Sequence, residues 1–167
     1  MVAVRRSAIS LTSVVALIIA SAPGAWAHTV SNSAYPYRSA ADCHYGESLI
    51  DHGTQNRGFS YNLRRSLQGG SASQCSAQFL RPAGSLRIST VVEKQLPNQT
   101  WATCFESSVA YNGGQAWELA QAYQGFVTAC GAGNYRVRAR GAHYFPGEWR
   151  GGAVFSGQHY LNASQPV

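Results

Sequence analysis

Carboxylates are scarce in this chain and lysine is nearly absent: seven Asp and Glu stand against thirteen Lys and Arg, with Lys94 the single lysine. Scarce acids leave no marked carboxylate pair for glycoside hydrolysis. There is no G-x-S-x-G elbow, H-E-x-x-H helix, phosphate-cradling glycine loop or C-x-x-C pair, so the serine-hydrolase, zincin, P-loop and thioredoxin-type chemistries lack their residues. No two cysteines stand two to four residues apart, which removes zinc ribbons and fingers. "GAGNY" at 131–135 lacks the rest of a dinucleotide fingerprint. After residue 20 no apolar run approaches the ~20 residues that a spanning helix needs, so no membrane anchor is expected. A formal charge of +6 is small for a dedicated nucleic-acid binder, and no nucleic-acid partner is expected.

What is present begins with an export signal. Arg5 and Arg6 precede the apolar run "AISLTSVVALIIA", Pro23 and Gly24 break it, and Ala25-Trp26-Ala27 sets small residues at the peptidase-read positions. Residues 1–27 are therefore expected to be a signal peptide, and the working chain to start at His28. The arginine-for-lysine bias and the Ala/Gly richness point to a high-GC bacterial coding sequence. Secretion into an oxidising compartment gives the four cysteines a role. Cys43, Cys75, Cys104 and Cys130 read as two disulfides. Of the three connectivities, Cys43–Cys75 and Cys104–Cys130 are favoured because both loops are then local, each worth roughly 3 kcal/mol in the chain-entropy account.

The hydrophobic pattern is that of an all-β protein. Leu86, Ile88, Thr90 and Val92 alternate with Arg87, Ser89, Val91 and Glu93, a two-residue period with β-branched members. "PNQ" turns the chain at 97–99, a second alternating run follows from Trp101 to Tyr111, and "NGG" at 112–114 is a hairpin signal. Residues 115–124 carry helix-forming side chains but also alternate, and strand is narrowly preferred. Residues 133–145 and 152–161 read as strands, with "PGEWRG" between them as a turn. Short strands at regular spacing predict a β-sandwich. Tyr135, following "CGAG", resembles the tyrosine corner of immunoglobulin-like sandwiches. The expectation is an immunoglobulin-like antiparallel β-sandwich over 41–167, after an extended lead-in over 28–40.

Four groups of residues are candidates for function. A free N-terminal His28 offers an amino and an imidazole nitrogen to one metal ion, and a second histidine completes the nitrogen set that Cu(II) prefers. His143 is the nominated second ligand, with His44, His52 and His159 as the others. In this the chain resembles the lytic polysaccharide monooxygenases, secreted β-sandwiches that begin at histidine. That resemblance implies copper and oxidation of polysaccharide. The segment "DCHYGESLIDH" gathers Asp42, His44, Glu47, Asp51 and His52; as a helix it would align His44, Glu47 and Asp51. Gly46, Gly53 and Cys43 favour a solvated, disulfide-anchored turn instead. Arg136, Arg138 and Arg140 project from one strand face about 6.7 Å apart, and need acidic neighbours such as Glu93 and Glu106 or an anionic ligand. Trp149, in the expected turn, is placed to stack on a ring.

Together these point to a secreted, extracellular binding protein rather than an enzyme. Its partner would be a carbohydrate, an anionic cell-envelope polymer or another protein, met through Arg136, Arg138, Arg140 and Trp149. A copper protein acting on polysaccharide, with His28 as ligand, is the alternative. A small disulfide-bonded scaffold also suits a secreted inhibitor or toxin-like effector.

Overall fold

The computed structural model describes residues 29–53, 57–70 and 74–162. His28, the proposed first metal ligand, and the expected signal peptide lie outside the described residues. Two antiparallel sheets pack face to face. The first runs β1 (Val30–Arg38), β2 (Asp42–Asp51), β3 (Phe59–Gly69), with β4 (Cys75–Gln78) and β8 (Glu118–Gln124) sharing the far edge of β3. The second is centred on β5 (Leu86–Gln95) and β9 (Gly133–Phe145). There β6 (Trp101–Glu106) and β7 (Ala110–Tyr111) share the far edge of β5, while β10 (Glu148–Phe155) and β11 (His159–Leu161) share that of β9. In the stacked layers β2 lies over β9, β1 over β10, and β3 over β5 and β9. The lead-in is thus not separate from the domain: Val30–Arg38 pairs along β2 as an edge strand.

Alternation in β5 and β9 does what the pattern predicts. Leu86, Ile88 and Val92 face the other sheet with Tyr135, Val137 and Ala139, all fully buried, while the arginines of β9 face out. Near one end Ile50, Val92, Phe126, Val127, Tyr135, Val137 and Leu161 form an apolar cluster. The five-residue helix α1 (Phe126–Cys130) caps this end and brings Cys130 to Cys104. The second disulfide, Cys43–Cys75, ties β2 to β4, so both expected pairings form. The Tyr135 hydroxyl donates to the Gly131 carbonyl four residues upstream, the kind of bond a tyrosine corner makes.

Three local expectations give way. "NGG" does not close a hairpin: Tyr111 pairs with β5 in one sheet and β8 pairs with β3 in the other, so 112–117 crosses between layers. Neither Gly113 nor Gly114 is among the positive-φ residues, so the primed turn that Asn-Gly usually marks is not made. Asn112 works through its side chain, accepting from the Leu86 amide and donating to the Pro82 and Gly114 carbonyls. Residues 42–51 are strand β2 rather than a turn. The "PGEWRG" turn contracts to Pro146 and Gly147, the latter at φ 100°, and Trp149 sits half-buried on β10. The ambiguous 115–124 segment is strand from Glu118.

Candidate functional site

The outer face of the β5–β9 sheet collects the arginine ladder, Trp149 and one arginine that sequence reasoning left aside. On β9, Arg136 and Arg138 share a single carboxylate: Glu93 Oε2 accepts from Arg136 Nε at 2.6 Å, and its Oε1 lies 3.1 Å from Arg138 Nη2. Glu93 stands directly across from Arg136 on β5, which is the acidic neighbour a row of like charges requires. Arg136 also lies over the Trp101 ring at 4.3 Å and the Phe155 ring at 4.9 Å. Arg140 is looser; its 3.6 Å pair with Glu106 joins two side chains each about half exposed, 49% and 53%. Such exposed pairs contribute at most about 1 kcal/mol.

Arg87 comes to the same face because it alternates with Leu86 and Ile88. Its guanidinium lies 4.2 Å above the Trp149 ring, and among the described residues no carboxylate pairs with it. Trp149 is held edge-on by Tyr111 and Tyr144, with centroids 6.0 and 5.5 Å away. One face of the indole is therefore already covered by a cation, and the freely exposed rings here are Tyr111 at 51% and Tyr144 at 43%. Between the Arg87–Trp149 wall and Arg140 lies a depression of about 470 Å³ floored by Ala142, Gly151 and Ala153. Gly151 cannot carry a side chain without a backbone shift, because a Cβ there would overlap the Gly141 carbonyl. Four arginines against Glu93 and Glu106 leave the face cationic.

The "DCHYGESLIDH" residues divide by strand parity. Asp42, His44, Ser48 and Ile50 point between the sheets, while Glu47 and Asp51 point away from them, so the helical alignment of His44, Glu47 and Asp51 is not made. Asp42, fully buried, gathers Arg81 at 3.0 Å, Arg150 at 3.0 Å, the Ser39 hydroxyl at 2.9 Å and His143 Nε2. His143 Nδ1 lies 3.3 Å from His44 Nδ1. Donor bookkeeping then sets the tautomers: His143 donates from Nε2 to Asp42 and accepts at Nδ1 from His44 Nδ1–H. His44 Nε2 has no partner among the described residues.

Burial drives the pKa of His44 well below its ordinary value, and Arg64, His143 and Arg81 push the same way. His143 is lowered by burial and by Arg81, against the pull of Asp42. For Asp42, burial raises the pKa, but hydrogen bonds from Ser39, His143 and Arg150 outweigh it and the net direction is down. Deeper still, Arg64 is sealed between the sheets, donating to the Ala139 carbonyl, and burial lowers its pKa to about 10. Gly46 and Gly141 make its slot, since a Cβ at either would overlap the guanidinium side chain.

His143 therefore belongs to an interior network. It sits beside His44, whose partner on β1 is Tyr37, whereas Val30 pairs with Ile50 at the other end of the ladder, about 20 Å away by strand rise. Near that other end Thr29 Oγ1 donates to Asp51 Oδ2 at 2.5 Å. The rings of His52 and His159 meet there edge to face at 4.7 Å. Among the described residues no three His, Cys, Asp or Glu side chains are grouped as a metal site would need. No protein-family model matches the chain, and neither a curated protein nor a solved structure shows significant similarity to it.

Proposed function

We propose that this is a secreted, non-enzymatic binding protein whose outer β5–β9 face holds an extracellular carbohydrate or anionic envelope polymer. The observation that carries the reading is the meeting, on one sheet face, of Arg87, Arg136, Arg138 and Arg140 with Trp149 and the exposed Tyr111 and Tyr144. Guanidinium groups pair with carboxylate or phosphate, and exposed rings beside them accept a flat partner. Two disulfides, with no helix among the described residues long and apolar enough to cross a membrane, support an oxidising, extracytosolic setting. The Tyr135–Gly131 bond supports an immunoglobulin-like sandwich. The test is a pulldown with immobilised cell-wall polymers and glycans, comparing the wild type with Arg136/Arg138/Arg140→Ser. Retention should drop in the variant; equal retention contradicts the reading.

A second reading, a copper protein, is favoured by one observation. His28 precedes Thr29 in sequence, and Thr29 is anchored to Asp51 beside the His52–His159 ring pair. On that reading the added imidazole nitrogens come from His52 or His159 rather than from the interior His143. Cu(II) titration of the mature protein, followed by electron paramagnetic resonance, should give a type-2 signal that His159→Ala alters. No signal removes copper from consideration.

A further inference from the structure

We infer that the depression between Arg87 and Arg140 is the anchoring subsite of the outer face and that it takes an acidic sugar, a pyranose ring bearing a carboxylate. This rests on the binding-surface reading above and narrows it to a place and a ligand class. The arginines of the face are not equivalent. Arg136 and Arg138 are neutralised together by Glu93, one of them at 2.6 Å, so they hold the sheet face more than they offer charge. Arg87 and Arg140 are the cations with charge to spare: the first has no carboxylate partner among the described residues and the second a long, exposed one at 3.6 Å.

Register sets the spacing of these two. Arg87 stands opposite Ala142 and Arg140 opposite Ser89, which makes them diagonal neighbours about 7–8 Å apart at Cα. Both side chains line the depression, and either guanidinium can grip the carboxylate of a sugar seated there through paired N–H donors. Trp149 is a positioning residue here. Its ring lies under the Arg87 guanidinium, and its edge contacts with Tyr111 and Tyr144 hold it in place.

The floor decides between a sugar and bare charge. Ala153, with Val109 at the rim, presents apolar surface, and Val109 is 48% exposed. Tyr111, directly across from Arg87 on β7, adds an exposed ring. A polyphosphate would leave that surface uncovered, whereas the C–H face of a pyranose would cover it. At about 470 Å³ the depression falls within the ordinary range for small-ligand sites.

Isothermal titration calorimetry on the mature, oxidised protein tests this with three probes: oligogalacturonate, its fully methyl-esterified form, and inorganic polyphosphate. The free acid should bind, and the ester and the polyphosphate should each bind at least about tenfold more weakly, the scale of a lost charge-assisted bond. Arg87→Gln and Arg140→Gln should each cost a similar factor. Arg65→Gln, which removes the same charge from the opposite sheet where Arg65 pairs with Glu118, should leave the affinity unchanged. Equal binding of acid and ester, equal binding of polyphosphate, or no effect of Arg87→Gln overturns the subsite. The ester bound as tightly as the acid would leave the face as a carbohydrate surface. No binding of any probe, with polymer retention unchanged in Arg136/Arg138/Arg140→Ser, removes both.

Discussion

The two ends of the inter-sheet layer are built on opposite principles. At one end Ile50, Val92, Val137, Leu161 and Phe126 pack without a charge among them, each burying about 1.5–3 kcal/mol worth of apolar side chain. At the other, Asp42, His44, Arg64, Arg81 and His143 fill the same layer almost entirely out of solvent. Each end has its own disulfide, Cys104–Cys130 at the apolar end and Cys43–Cys75 at the polar one. An apolar end has no partner to strand, but a void left in it costs the contacts it removes. A buried ionic network is stable only when its partners are complete, because removing one leaves another charge stranded. The lesson is that equal burial gives unequal sensitivity: the polar end is vulnerable to chemistry, the apolar end to volume.

The largest effect should follow from removing the hub. Asp42→Ala strands Arg81 and His143, while Arg150 keeps Glu148 at 2.8 Å, and should cost about 3–5 kcal/mol in urea unfolding at neutral pH. A loss under about 1 kcal/mol would mean that the network is solvated and the two ends are alike. Next, Ile50→Ala opens a cavity at the apolar end and should cost about 2–5 kcal/mol. That loss should be the same at pH 7 and pH 5, since the cluster holds no carboxylate or imidazole and burial raises the pKa of its tyrosine, Tyr135, above the ordinary value.

Acid distinguishes the ends at intermediate scale. The folded pKa values of His44 and His143 lie below the ordinary 6.5, so below pH 6.5 the unfolded chain binds protons that the folded one refuses. Stability contributed by the neutral pair is present above pH 6.5 and is lost as pH falls toward the folded values, by up to about 1.4 kcal/mol per pH unit for each histidine. Asp42 acts lower, its contribution being lost as pH falls below the ordinary 3.8. Urea midpoints measured from pH 7.5 to 5 should therefore fall, and His44→Gln should flatten the slope. A flat wild-type profile would contradict neutral burial. The smallest effect belongs to the exterior: Arg65→Gln breaks a part-exposed pair with Glu118 and should cost under about 1 kcal/mol.

How far the sequence foretold this follows the same division. β5 and β9 were legible because their inward residues are apolar and their outward ones charged, so period and polarity agree. The local disulfide pairing was legible from spacing. β2 and β3 were not, because their inner face is polar: Ser48, Asn62, Arg64 and Ser66 look inward, while Leu63 and Leu67 are buried on the opposite face. Ser48 bonds Asn62, and Asn62 bonds Thr90 on the other sheet. No pattern rule identifies a core made of hydrogen bonds between strands distant in sequence. On the outer face the arginine ladder is legible from alternation, whereas Trp149 stands out through an expected exposed turn and reaches this face on strand β10 instead. The parity of Arg87 against Leu86 and Ile88 puts it outside, but only the register with Ala142 and Tyr111 brings it next to Arg140 and Trp149.

The most direct test of the binding account is a map of where the ligand lands. Adding oligogalacturonate to isotopically labelled protein should shift the Arg87 and Arg140 amides and the Trp149 indole signal, while residues of β2 and β3 stay put. Shifts gathered on the β3–β8 face around Arg65, whose guanidinium lies 5.3 Å from the Trp117 ring, or no shifts at saturating ligand, would contradict it.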